Sequence, residues 1–368
     1  MVTCKLFFEP TNDPNRLKEQ FKVIKDECMQ EHVLKCQECN TIEYNGSHYP
    51  YIIMEIGKHT LKEKIHSIHS NKISKYYKRE STSKFLEKID LIWILNCFID
   101  ILKAVTALHG MNMLHRDLKP ENIMLTQEEK PKLIDLDASR NLQYRHSVTV
   151  NVGTWEYLAP EAQHDQVSRI ENNTTVSKFC DVFSLGCTFM KMLTNCSLRL
   201  DGTYLNSQEQ DLYENQHQTT NNTGDMNYFS EYGGSYFYVA VATSHGESKL
   251  HHALYKELDK HIDPSWKVND ILGRCLMTMI QKDIETRRDC VRYIPILQAV
   301  KQSLEKGINN PDFSSLDLSL LKEYQPSFIE KMMKENKRLK QDNAKLLQIK
   351  DKYEKLLAYM EKHSINFE

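Results

Sequence analysis

The stretch LHRDLKPENIML, residues 114–125, decides how this chain is read. Three of its polar groups, Asp117, Lys119 and Asn122, stand within six residues of one another on what should be a tight loop. Transfer of a phosphoryl group asks mainly for positioning and for neutralisation of charge. It needs a carboxylate to orient the attacking hydroxyl, a cation beside the phosphate, and oxygen ligands for a metal that bridges phosphates. Asp117, Lys119 and Asn122 supply those three in turn. Eighteen residues past Asp117, PKLIDLD sets Asp135 at the end of an apolar strand, where a second metal ligand belongs. GTWEYLAPE follows at 153–161.

Composition bounds the rest. At 368 residues the chain has room for two or three compact units, or one large two-lobed domain with extensions. A hydrophobic content of 40% with negative mean hydropathy describes a globular chain able to bury a sizeable core. A net charge of -2 gives no case for nucleic acid or an anionic membrane as partner. No uninterrupted run of about 18 apolar residues occurs, so no membrane span is expected. The ten cysteines follow no framework, and MVTCKLFFEP makes a poor signal peptide. An intracellular protein with reduced thiols, cytoplasmic with the nucleus left open, is expected.

Along the chain, VTCKLFF predicts a short strand, and Leu17, Phe21, Ile24 and Cys28 recur at helical spacing. YPYIIMEI, residues 49–56, predicts a buried strand ending at Gly57. Residues 58–88 hold nine Lys/Arg against three Asp/Glu and read as a short helix followed by a solvated basic insertion. Residues 89–109, 181–194 and 269–281 predict core helices; the first is apolar nearly all round but carries Asp90, Asn96, Asp100 and Lys103, which suits a core better than a bilayer. Residues 195–248 are polar and Asn/Gln/Tyr-rich, with an apolar patch at 236–242 that suits a docked strand. In the tail, Met332, Leu339, Leu346, Tyr353 and Met360 recur every seven residues. Asn336, Asn343, Lys350 and Leu357 follow four residues after the first four of them, giving a coiled-coil seam over 327–363 and a possible homodimer or coil partner. Cys36-x-x-Cys39 has no second CxxC, falls in the expected helix-to-strand linker, and reads as incidental rather than as a zinc site.

HRDLKPEN with APE downstream resembles the eukaryotic protein kinase family, and the resemblance runs over roughly residues 2–305. It implies a two-lobed α+β fold, ATP and Mg²⁺ as cofactors, and a protein substrate. By the same resemblance Asp117 and Lys119 are catalytic, and Asn122 and Asp135 hold metal. Lys5 of VTCK takes the α/β-phosphates, with Glu19, favoured over Glu27, as its helix partner. Met54, Glu55 and Gly57 resemble gatekeeper and hinge, and Met124 the floor under adenine. His115 and Leu136 are spine residues, and Arg116 awaits a phosphate on Ser147 or Thr149. Thr154 touches Asp117 and Lys119, as in kinases acting on Ser or Thr. Glu161 pairs with Arg287, and Asp181 ties the catalytic-loop backbone.

Two departures stand against conventional turnover. Only four residues precede Lys5, so no Gly-rich loop comes before it and a shortened N-lobe over 1–57 is expected. Asp137 replaces the usual glycine after Asp135-Leu136. The expected organisation is this partial lobe, a C-lobe over 58–305 with insertions near 66–88 and 195–248, a linker at 306–326 and the coil. A Ser/Thr kinase is the reading favoured, and a pseudokinase scaffold that binds through the C-lobe and coil is its rival.

Overall fold

The structure is a computed structural model. It describes residues 2–6, 22–77, 85–136, 139–141, 154–159, 161–162, 177–201, 228–229, 235–240, 254–255, 257–281, 283–308, 310–319 and 321. The chain divides into two compact units, residues 1–322 and 323–368. Glu19, Asp137, Ser147, Thr149 and the 327–363 seam lie outside the described residues.

The N-terminal part is an antiparallel sheet of β1 (Val2–Leu6), β2 (Cys36–Tyr44) and β3 (Ser47–Glu55), in the order β1-β3-β2. Asn45 and Gly46 close the β2–β3 hairpin with φ of 52° and 74°. A two-residue turn with both angles positive matches the strand twist, and Asn-Gly adopts it at least cost. The CxxC cysteines therefore sit on β2 rather than in a linker. Within 49–56 only Pro50 and Ile52 are buried, so β3 is a half-covered strand rather than a fully buried one. The helical spacing that runs to Cys28 is also cut short. Residues 22–25 are helical, but the Asp26 carboxylate accepts the Cys28 N–H at 2.9 Å and turns the backbone away.

Beyond β4 (His59–Thr60), helix α1 (Leu61–Tyr77) opens with a reciprocal cap. Glu63 accepts the Thr60 N–H at 2.7 Å, and Thr60 Oγ1 accepts the Glu63 N–H at 3.3 Å. This helix is longer than the sequence suggests and buries Ile68 and His69, so the solvated insertion does not begin at 66. Helix α2 (Lys88–Gly110) buries Leu91, Ile94, Leu95, Phe98, Ile101, Leu102, Val105 and Leu108 among others. It is the one helix among the described residues long and apolar enough to cross a bilayer, yet it is mostly buried inside the fold. It packs on α3 (Lys178–Thr194), where Phe98 and Phe189 stack with centroids 4.1 Å apart, and on α5 (Cys290–Glu305). Helix α4 (Asn269–Met279) completes the helical core.

Short strands carry the loops of interest on this core. β4, β6 (Ile123–Leu125) and β7 (Pro131–Leu133) form one sheet, and β5 (Met113–Leu114) pairs with β8 (Arg140–Asn141). Loop 115–122 thus leaves β5 and returns into β6, while 134–136 leaves β7 beside it. Further along, β9 (Cys196–Asp201) pairs in parallel with β11 (Ser235–Ala240), and β10 (Tyr228–Phe229) lies outside β11.

Candidate active site

The Asp117 carboxylate is enclosed by donors on loop 115–122 and from Thr154. Lys119 Nζ donates to Oδ2 at 2.8 Å, and Asn122 Nδ2 donates to the same oxygen at 2.7 Å. Thr154 gives its N–H to Oδ1 at 2.8 Å and its hydroxyl at 3.0 Å. Lys119 Nζ reaches Thr154 Oγ1 as well, at 2.5 Å. Burial works to raise the Asp117 carboxyl, but the hydrogen bond and charge of Lys119, then Thr154 and Asn122, outweigh it. Asp117 is held below the usual carboxylate range and is ionised at neutral pH. Asn122 also donates to the Asp117 carbonyl at 2.7 Å. With both amide hydrogens so engaged, its side-chain oxygen is the atom it can offer a cation.

Beneath this loop lies Asp181, 1% exposed at the start of α3. It accepts the backbone N–H groups of His115 and Arg116, each at 2.9 Å, and bonds His109 Nε2 at 2.8 Å. Burial opposes its charge, yet His109, His115 and the Arg116 N–H together hold it below its ordinary value. Those two N–H bonds fix the backbone where Arg116 takes a φ of +70°. A left-handed non-glycine residue costs roughly 1–3 kcal/mol and persists only where its surroundings over-determine it. Burial also keeps His115 neutral, by lowering its pKa. Its Nε2–H then donates to the Ile134 carbonyl at 3.2 Å and its Nδ1 faces the Asp117 N–H at 3.4 Å.

Asp135 takes a φ of +61° and accepts Lys5 Nζ at 2.9 Å, which joins β1 to the end of β7. Leu136 next to it is buried in the common core. Asp135 and Asn122 offer a carboxylate and an amide oxygen, the hard donors that suit Mg²⁺. A Cβ built on Gly57 would stand 2.0 Å from Met124 Cγ, so a larger residue there requires the Met124 side chain to shift. Met54 pairs with Thr3 and with Cys36, at the centre of the N-terminal sheet. The Glu55 carboxylate accepts the Lys35 N–H at 2.9 Å, and its own N–H returns to the Lys35 carbonyl.

A second ion pair stands apart from the loop. Arg287 donates from Nη1 and Nη2 to the two oxygens of Glu161, at 2.6 and 2.9 Å. Its remaining donors reach the Gln281 and Phe179 carbonyls, and its guanidinium lies over the Phe183 ring. Sequence reading passed over several groups that the fold recruits. His109 carries no pattern that ties it to Asp181. Ser184 donates to the Tyr157 carbonyl at 2.7 Å, and Cys180 to Glu161, so both anchor the segment after Thr154 on α3.

The protein kinase domain family matches residues 12–292. Among relatives, a membrane-associated tyrosine- and threonine-specific cdc2-inhibitory kinase, wee-1.3 of Caenorhabditis elegans, is 37% identical over 122 residues, 33% of this chain and 16% of its own. A probable serine/threonine-protein kinase of Dictyostelium discoideum is 36% identical over 145 residues, 38% of this chain and 17% of its own. Calcium-dependent protein kinase 4 of Plasmodium falciparum is 34% identical over 100 residues, 26% of this chain and 17% of its own. The chain therefore matches less than a fifth of the length of each of these three relatives.

Proposed function

The chain belongs to the protein kinase domain family, and on that premise we propose that it transfers the γ-phosphoryl group of ATP to serine and threonine hydroxyls of proteins. The observation that carries the proposal is the ionised Asp117 carboxylate, gripped by Lys119, Asn122 and Thr154. Asp117 orients the acceptor hydroxyl and takes its proton, and Lys119 lies where charge builds on the transferring phosphate. Asn122 and Asp135 would hold Mg²⁺, and Lys5 would steady the remaining phosphates. Bound there, Mg²⁺ supplies neutralisation of the phosphate oxygens. Met54, Glu55 and Gly57 border the adenine site, and Met124 floors it. Arg116 answers to phosphate on Ser147 or Thr149, while His115, Leu136, Asp181, Glu161 and Arg287 hold the frame. The Thr154 hydroxyl bonds both Asp117 and Lys119, the arrangement that the resemblance links to Ser/Thr acceptors.

The test is transfer from labelled Mg-ATP to a generic protein substrate, followed by phosphoamino-acid analysis. Phosphoserine and phosphothreonine are expected; phosphotyrosine alone would overturn the assignment of acceptor. Gly57 offers a second prediction. Adding a methyl group there displaces the Met124 side chain, which the proposal places under adenine, an overpacking of roughly 1–2 kcal/mol. Gly57→Ala is expected to weaken ATP binding about tenfold, and Gly57→Ala with Met124→Ala to recover most of the loss, by nucleotide titration.

Pairing of two copies through 327–363 belongs to the same proposal and is supported by the seven-residue spacing. Sedimentation is expected to show a concentration-dependent dimer for the full chain and a monomer for residues 1–326. A full chain that stays monomeric at high concentration would end that part of it.

A further inference from the structure

Away from Asp117, three side chains from two distant parts of the chain converge. Cys196, the first residue of β9, directs Sγ to Glu257 Oε1 at 3.5 Å, across 61 positions of sequence. His261 Nε2 lies 3.1 Å from the same oxygen. All three ligand atoms fall within 4.8 Å of one another, and Cys196 and Glu257 are buried. Glu257 and His261 are four positions apart on helical residues 257–261, so they share one face.

We propose that Cys196, Glu257 and His261 form a zinc site that clips together the two ends of the segment between α3 and α4. Bonds of about 2.0–2.3 Å from a tetrahedral Zn²⁺ set its ligand atoms roughly 3.3–3.7 Å apart. The separations of 3.5 and 3.1 Å from Glu257 Oε1 lie at or close to that range, and Cys196 and His261 come within 4.8 Å of each other, so side-chain adjustment alone closes the site around the ion. The donor chemistry selects the metal. A thiolate with an imidazole and one carboxylate oxygen suits Zn²⁺, whereas Mg²⁺ and Ca²⁺ take oxygen alone. On binding, the Cys196 thiol proton passes to solvent and the sulfur lone pair goes to the ion. Glu257 binds through Oε1, because Lys260 Nζ already occupies Oε2 at 2.7 Å. A water molecule completes the tetrahedron.

The surroundings support the ligands. His69 packs edge-on against the His261 ring with centroids 5.8 Å apart, and its own Nε2 bonds the Met192 carbonyl at 3.1 Å. The imidazole of His261 is thus held between α1 and its own helix. Asn195, directly before Cys196, caps α3 with a φ of +59° and fixes the direction in which β9 leaves. A bond between residues 61 positions apart removes loop entropy from the unfolded chain, so an ion here acts as a removable cross-link.

Titration of the full chain with Co²⁺, under a phosphine reductant that leaves the metal free, tests the site. A single equivalent is expected to give a near-ultraviolet thiolate charge-transfer band and visible bands of tetrahedral intensity, both abolished by Zn²⁺. Cys196→Ser is expected to lose the charge-transfer band, and the double variant Cys36→Ser with Cys39→Ser to keep it. His261→Asn is expected to weaken Co²⁺ binding at least tenfold while preserving the circular dichroism of the chain. Absence of the band in the unsubstituted chain, its persistence in Cys196→Ser, or unchanged affinity in His261→Asn would each overturn the proposal.

Discussion

Asp117→Asn is expected to lower the rate of phosphoryl transfer about 10³-fold, near 4 kcal/mol of transition-state stabilisation, while ATP affinity changes less than about threefold. Asparagine keeps the shape of the side chain but not its charge. If its amide nitrogen occupies the place of Oδ1, it meets the Thr154 N–H head-on; if it replaces Oδ2, it meets Lys119. In either orientation the acceptor hydroxyl loses its proton acceptor. ATP binding survives because Lys5, Gly57 and Met124 lie on other elements. Stopped-flow or steady-state transfer against ATP concentration separates the two effects. The pH dependence follows from the same contacts. The folded Asp117 pKa is depressed, so the base form persists down through the ordinary carboxylate value of about 4. Transfer is therefore expected to show no acid limb from this group between about pH 5 and 8.

Arg287→Ala is expected to destabilise the fold by about 3–5 kcal/mol, because it strands the Glu161 carboxylate and the Gln281 and Phe179 carbonyls together. For a domain of this size that is a fall in Tm of roughly 5–10 °C. Arg287→Lys is expected to lose more than half as much, since an ammonium group cannot make both parallel bonds to Glu161 and still reach the two carbonyls. Thermal denaturation of the three proteins checks both figures. A shift below about 2 °C for Arg287→Ala would show that the pair carries little of the fold. Asp181 adds an acid-side signature. Its folded pKa is depressed, so its contribution to stability is present above about pH 4 and is lost as pH falls through the depressed value.

Legibility in the sequence followed distance along the chain. Asp117, Lys119 and Asn122 are readable together because six residues of loop hold them, and spacing there stands for geometry. Asp135 is readable because it ends an apolar strand. Thr154, Glu161, Asp181 and Arg287 have no spacing of their own that links them, and only the family resemblance brought them into one reading. The three core helices were legible because each stretch is mainly apolar with only scattered polar residues. Local backbone chemistry decided the elements that were misread. The Asn45-Gly46 pair is a strong hairpin signal, and it places Cys36 and Cys39 on a strand instead of a linker. Thr60 and Glu63 form a capping box, which fixes where the helix begins but not how far it runs. Asp26 ends its helix through a side-chain bond that no periodicity displays. The convergence of Cys196 with Glu257 and His261 was invisible for another reason. Nothing in a one-dimensional pattern says that two stretches 61 positions apart will meet.

Whether loop 115–122 with Asp135 and Thr154 performs the proposed phosphoryl transfer is decided by one comparison. The full chain and its Asp117→Asn variant, at equal concentration with Mg-ATP and the same protein acceptor, are followed for the appearance of phosphate on the acceptor. Label on serine and threonine that depends on added Mg²⁺, and that falls about 10³-fold in the variant, is the predicted result. Equal label in the two proteins, or none above background in either, would contradict it.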